Sequence, residues 1–270
     1  MNGHQLFDSL TDGFSISLPH LLLPPSEGKA SDTIEGELRA DLGEPWSPES
    51  GTFRMLGASR SRVADALASI DGGDQKLLGV KGDNLERARK ANASLVGAPT
   101  LPAWKRYTGV VWDHLDPTSL SSADRRRIVV VSGLSGLVRA DDPVPDYRLK
   151  MGANLVPFGK LSTWWRADVT TQLATFSERQ VAKQPRVLVD LLPKEHRAAW
   201  APDDTVRVVR IELVDPSGKP GGHFAKATKG ELARALLTTG WDALANWSHD
   251  RFELAITQRP SGRRFELPSN

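Results

Sequence analysis

Residues 206–223 read VRVVRIELVDPSGKPGGH, and the class of fold turns on them. Val206 and Val208 alternate with Arg207, and Arg210 follows. That period-two pattern puts apolar side chains on one face of a strand and charges on the other. DPSGKPGG is dense in turn residues and reads as a hairpin loop between Val214 and His223, so the strands flanking it are expected to pair antiparallel. A hairpin, in a chain that elsewhere intersperses helices and strands without a regular βαβα series, argues for an α+β domain built on a mixed sheet rather than a doubly wound one.

Working outward, the strongest other strand is Ile128–Val131, entered through Arg125, Arg126 and Arg127 and running into SGLSGL. Leu18 to Pro24 reads as a buried first strand stopped by Pro24–Pro25, and Val187–Leu191 and Phe252–Gln258 as two more. Helical spacing of apolar residues runs from Phe53 to Ile70, and further helices are expected over Leu85–Leu95, Trp104–Leu115, Leu161–Phe176, Glu195–Trp200 and Lys229–Leu237. Residues 26–50 read as an exposed loop. Residues 139–159, RADDPVPDYRLKMGANLVPFG, are proline-punctuated and too long for a simple connection, which marks a candidate functional loop. No linker divides the chain, so one domain is expected over residues 18–270, with residues 1–17 as a candidate disordered extension.

The composition narrows the chemistry. With 270 residues, 39 % hydrophobic and 25 % charged, the chain is long enough for a substantial core and reads as a globular protein. It has no cysteine, which excludes disulfides, thiolate metal sites and a cysteine nucleophile. The six histidines include no pair at the i, i+3 or i, i+4 spacing of a metal-binding helix face, no G-x-S-x-G elbow occurs, and no cofactor is implied. Residues 1–135 carry 15 Lys and Arg against 17 Asp and Glu, while residues 136–270 carry 20 against 16, which inclines the second half toward an anionic partner. No apolar run approaches the ~20 residues of a membrane span and the first residues lack a basic leader, so a cytoplasmic location is expected.

Four constellations could carry chemistry. PPSEGK places Ser26, Glu27, Gly28 and Lys29 directly after the first strand; this suits a polar ligand and reads equally as a polar turn, and its spacing is not that of a P-loop. GVKGDNLERAR has two glycines, Gly79 and Gly82, around Lys81, with Arg87 beyond. It resembles a helix–hairpin–helix, whose backbone N–H groups accept a nucleic-acid phosphate, or a plain turn between helices. SGLSGLVRADDPVPDYRLKMG puts Ser132 at a strand end and then Arg139, Asp142, Tyr147 and Arg148, a density of charge that fits acid–base work or internal salt bridges. In HFAKATKGELAR, Lys226 and Lys229 are expected at the end of the hairpin strand and the start of the last helix, where cations beside a helix N-terminus favour an intervening anion.

Together and in this order, PPSEGK, the YTG of Tyr107–Gly109, SGLSGLVRADD, PDYRLKMG and AKATKGELAR resemble the YaaA family of peroxide-stress proteins, with APTLPAWKRYTGVVWDHL and Trp164–Arg166 fitting between them. The resemblance runs from about Leu21 to Leu237. It implies a single compact α+β domain with a helix–hairpin–helix-like element, cytoplasmic, aiding survival of hydrogen peroxide by limiting free iron and DNA damage. It also implies a basic cleft for duplex or branched DNA and a polar pocket of Ser26, Glu27, Lys29, Tyr107, Tyr147, Arg148, Lys226 and Lys229. Two positions depart from the family pattern: Ser135 and His196 stand where aromatic residues are expected. That leaves an alternative of a different class, a specialised enzyme acting on a nucleotide, nucleoside or other anionic small molecule. In that alternative Glu27 or Asp142 is acid or base, Tyr147 stacks or donates, and Lys29, Arg148, Lys226 and Lys229 hold the anion.

Overall fold

A computed structural model describes residues 18–178, 186–217 and 224–259. Its centre is a six-stranded sheet of β1 (His20–Leu23), β2 (Ile128–Ser132), β3 (Gly136–Arg139), β4 (Val187–Asp190), β5 (Arg207–Val214) and β6 (Glu253–Arg259), in the order β6-β5-β4-β1-β2-β3. β5, β4, β1 and β2 are mutually parallel, while β3 and β6 close the two edges antiparallel. β1, β2 and β4 are buried at every position, as strands covered on both faces must be, and their sequences HLLL, IVVVS and VLVD are accordingly near-continuous apolar runs. The fold is thus mixed α/β with a mixed sheet.

The strand at 206–214 stands as read, but its partner differs. β5 pairs with β6, from Val208 against Arg259 to Val214 against Glu253, and a 14-residue helix, Ala225–Thr238, intervenes where the return strand of a hairpin was expected. Residues 218–223 of the expected loop, like the 1–17 extension, lie outside the described residues. The centre of the sheet is parallel, a direction that a uniform run of four apolar residues does not carry.

Helices α1 (Gly57–Ala68), α2 (Gln75–Leu78), α3 (Asp83–Ala93), α4 (Val110–Leu115), α5 (Arg166–Glu178), α6 (Lys194–Arg197) and α7 (Ala225–Thr238) surround the sheet. The single helix expected over Trp104–Leu115 is broken. Tyr107–Thr108 leaves helical geometry to pair with Gly28–Lys29, Lys29 opposite Tyr107, and Gly109 takes φ +117°, so α4 starts afresh at Val110. The 26–50 segment is not wholly exposed either, since Trp46 is 2 % exposed and packs into the core. Residues 139–159 contain a further strand, Pro143–Pro145, paired with Thr100–Pro102.

α7 lies directly on α4. A Cβ on Gly230 would fall 2.4 Å from the Val111 carbonyl oxygen and 2.7 Å from the His114 Cβ, so only glycine lets the two backbones approach this closely. This contact brings Lys226, one residue into α7, to the mouth of the cleft described next.

Candidate functional site

Sequence order reverses at β1: the chain passes from β1 to β2 on one side and later enters β4 on the other. Such switch points leave a crevice beyond the carboxyl ends of the strands, where ligands bind in open α/β sheets. A cleft of about 460 Å³ occupies this crevice. Pro24–Lys29, following β1, form one wall, Pro193, Glu195 and His196, following β4, another, and Thr108–Trp112, Arg148–Lys150 and Lys226 complete it. A smaller cavity of about 170 Å³ shares Glu27–Lys29, Thr108 and Arg148 with it and extends to Arg87, Asp146 and Tyr147.

Lys29 lies between the two cavities. Its Nζ donates to the Ser26 carbonyl at 3.0 Å and sits 4.1 Å from the centre of the Tyr147 ring and 5.6 Å from that of Tyr107. Burial, opposed by the Asp146 charge and aided by Arg148 and Arg106, pulls the ammonium down to a pKa of about 7. Beneath it runs a buried hydroxyl chain, with Tyr107 OH 3.1 Å from Tyr147 OH, which is 2.8 Å from Ser132 Oγ; that oxygen accepts the Ser135 N–H at 3.2 Å. Burial raises the pKa of both tyrosines, so they stay protonated. Ser26 donates its hydroxyl to the Gly28 carbonyl, which closes the PPSEGK turn.

Glu27 reaches Arg148 at 3.0 Å and Lys150 at 3.5 Å. Burial works against its ionisation, but the Lys150 and Arg148 charges prevail and hold the carboxyl below the usual range. At neutral pH it is therefore an ionised, doubly paired carboxylate and a poor proton donor. Arg148 is fixed on three sides: Nε donates to the Leu78 carbonyl at 3.1 Å, Nη1 to the Glu27 carbonyl at 3.3 Å and Nη2 to the Glu27 carboxylate. Leu78 ends α2, and Gly79, in the left-handed region at φ +67°, leads through Val80 and Lys81 to Gly82 and α3. Arg87, in α3, pairs with Asp146 at 2.8 Å and donates to the Lys29 carbonyl at 3.4 Å, so it braces the small cavity. Lys81 is exposed.

Opposite, His196 is buried, its Nδ1 lacking a hydrogen-bond partner among the described residues, and burial, then the Lys229 charge, lower its pKa to about 4. Lys226 and Lys229 lie in the first turns of α7, not at the end of a hairpin strand. Burial and the Arg197 charge lower the Lys229 pKa against the pull of Asp190 and Glu212. Asp190, fully buried at the end of β4, receives Arg197 at 2.7 Å and Arg210 at 3.4 Å.

Of the residues singled out by sequence, Ser26, Glu27, Lys29, Arg148 and Lys226 line the large cleft, Tyr147 lines the small cavity, and Tyr107 and Ser132 support them. Asp142 and Arg139 lie elsewhere. The Asp142 carboxylate accepts Thr52 N–H at 3.0 Å, Thr52 Oγ1 at 2.8 Å and Arg139 N–H at 2.7 Å, a clip that ties residue 52 to the end of β3, and Arg139 donates to the Arg126 carbonyl. Ser135 is fully buried and is absent from the cleft lining, whereas His196 belongs to it, so only the second departure touches the site. Asn92 and Arg106, both fully buried, are not among the residues singled out by sequence. Arg106 donates to the carbonyls of Val144 and Ala30 and to Asp32 at 2.6 Å, bridging elements distant in sequence with no local motif to announce it. Among the described residues no group of three or more His, Asp or Glu is placed to hold a metal, and no helix is long and apolar enough to cross a membrane.

A mixed α/β domain with a polar, lysine-bearing cleft at the switch point of its parallel strands is the class of protein defined here. The family described as "Peroxide stress protein YaaA" matches residues 20–255, and the chain belongs to that family. It is 36 % identical to a UPF0246 protein of Streptomyces coelicolor over 82 % of this chain and 83 % of the relative. A UPF0246 protein of Corynebacterium glutamicum is 31 % identical over 80 % of this chain and 84 % of its own length. A Francisella tularensis UPF0246 protein is 31 % identical over about half of each, 49 % and 50 %.

Proposed function

We propose that the protein serves peroxide-stress defence by binding the phosphates of nucleic acid across the Gly79–Gly82 turn and into the cleft. The observation that carries this reading is the position of Lys150. Its Nζ lies 3.3 Å from where a Cβ on Gly79 would stand and 3.5 Å from Glu27, so the turn that carries Lys81 abuts the cleft wall bearing Lys150 and Arg148. α2–turn–α3 supplies the helix–hairpin–helix reading, with α2 a single turn and the backbone N–H groups at the start of α3 as the donors to phosphate. Fluorescence anisotropy with a labelled duplex tests it. Binding should weaken steeply with salt, and Lys81→Ala should lower the slope of log K against log salt by about 1. An unchanged slope removes the turn from the interface.

A second reading, an enzyme acting on a phosphorylated or otherwise anionic small molecule, is favoured by Lys29, whose lowered basicity inside a cleft is characteristic of reacting groups. A thermal-shift panel of nucleotides and sugar phosphates separates the two. Shifts with small phosphates, without duplex binding, select the enzyme.

A further inference from the structure

We propose that Lys29 is a nucleophilic amine that forms a Schiff base with an aldehyde or ketone carrying a phosphate or carboxylate, whose anionic end rests against Lys150 and Lys226. This rests on the reading of the cleft as an anion site, and goes beyond it by naming a reactive atom and a functional group. Three features of geometry support it. Lys29 opens on both cavities, so its Nζ can meet a ligand lodged in either. The only hydrogen bond of Nζ among the described residues is to a backbone carbonyl, that of Ser26, and no carboxylate of those residues stands within ion-pair distance of it. Asp146, the acidic group nearest in effect, is already committed to Arg87 at 2.8 Å, and Glu27 to Arg148 and Lys150.

The remaining surroundings are two tyrosine rings and two guanidiniums, Arg148 and Arg106. A lysine desolvated against rings and beside fixed cations is the arrangement that activates amines toward carbonyls. With a pKa of about 7 it presents on the order of a thousandfold more free amine at neutral pH than an exposed lysine. Lys150, by contrast, pairs with Glu27, and Lys226 is exposed, so both are suited to hold charge rather than to react.

The step balances within ligand and lysine. The amine lone pair adds to the carbonyl carbon while the C=O pair moves to oxygen, which takes the proton that nitrogen sheds. The resulting carbinolamine expels its hydroxyl with a second proton as one water, and the C=N bond forms. No oxidant or reductant enters.

The test uses the full-length protein and two probes that differ in one group. Pyridoxal 5′-phosphate carries the aldehyde, and pyridoxine 5′-phosphate carries an alcohol in its place. The aldehyde should produce a saturable imine absorbance that rises with pH through a midpoint near neutrality, and borohydride, delivering hydride to the imine carbon, should fix one pyridoxyl group on the peptide containing Lys29. Lys29→Arg should abolish that adduct while the alcohol still binds, and Lys160→Arg, at an exposed lysine outside both cavities, should retain it. Peptide mapping of the unaltered protein reads the site directly, whatever the folding of the variants. Labelling spread over exposed lysines, or undiminished in Lys29→Arg, overturns the proposal. Binding of the alcohol without an imine from the aldehyde overturns it and leaves the anion site standing; binding of neither probe overturns both.

Discussion

The Asn92 carboxamide closes two hydrogen bonds on the backbone of Arg148, accepting its N–H at 2.9 Å and donating to its carbonyl oxygen at 2.8 Å. The same Nδ2 reaches the Gly72 carbonyl at 3.0 Å, so one fully buried side chain of α3 joins the end of the α1 loop to the cleft wall. Asn92→Leu is expected to lower stability by about 2–4 kcal/mol, because it leaves three backbone groups unsatisfied in the interior. Urea unfolding measures this. A loss under about 0.5 kcal/mol would show that the segment rearranges to find other partners.

The contact of α7 with α4 gives a second prediction. A methyl group at position 230 would stand 2.4 Å from the Val111 carbonyl oxygen, so Gly230→Ala must part the helices, and destabilisation of about 1–3 kcal/mol is expected. Because Lys226 is carried by the same helix, affinity for a phosphate probe should fall as well. Unaltered stability together with unaltered binding would mean that the helices do not touch here.

Two buried histidines set the acid response. His20 is lowered to a pKa of about 3, by burial and then by Arg186, Arg139 and Arg127, and His196 to about 4, by burial and then by Lys229. The unfolded chain takes up protons near the ordinary value of 6.5 while the folded chain refuses them, so stability is full above that value and is lost as pH falls toward the folded pKa. Each should cost about 2–3 kcal/mol by pH 4.5. Denaturation of His196→Gln at pH 7.5 and 4.5 should show a shallower decline than the parent; an equal decline would assign the acid response to other groups.

How much of this was legible beforehand follows from what each residue depends on. Ile128–Val131 and Leu21–Leu23 announce buried strands because every side chain is apolar, and PPSEGK announces a strand end followed by a polar turn or ligand-binding segment, because two prolines stop the strand and a hydroxyl, a carboxylate and an ammonium follow. The α4 boundary was hidden, since Tyr107 leaves the helix only to pair with Gly28–Lys29, a partner nearly 80 positions away. The density of charge around Asp142 suggested chemistry, yet the carboxylate is consumed by Thr52 and the Arg139 backbone, a contact across 90 residues that no local pattern encodes. Asn92 and Arg106 were silent for the same reason. The strand at 206–214 was correctly placed and wrongly partnered, because alternation fixes which face is buried and says nothing of which strand lies alongside.

Glu27 supplies the last prediction, and it turns on sign. Its carboxylate neutralises Arg148 and Lys150 at the mouth of a cleft read as an anion site, so an arriving phosphate competes with it for both cations. Glu27 is the exposed member of the pair, with 68 % of its side chain accessible against 19 % for Arg148, and an ion pair open to water on its acidic side contributes about 1 kcal/mol or less to stability. Glu27→Gln should therefore leave unfolding within about 0.5 kcal/mol of the parent, while tightening binding of pyridoxine 5′-phosphate by up to about fivefold, the equivalent of about 1 kcal/mol. Were Glu27 instead a ligand-contacting acid or base, the same change would weaken binding or leave it unaltered and abolish turnover. Isothermal titration of the two proteins at low ionic strength, repeated at high salt where the gain should shrink, distinguishes a competing carboxylate from a participating one.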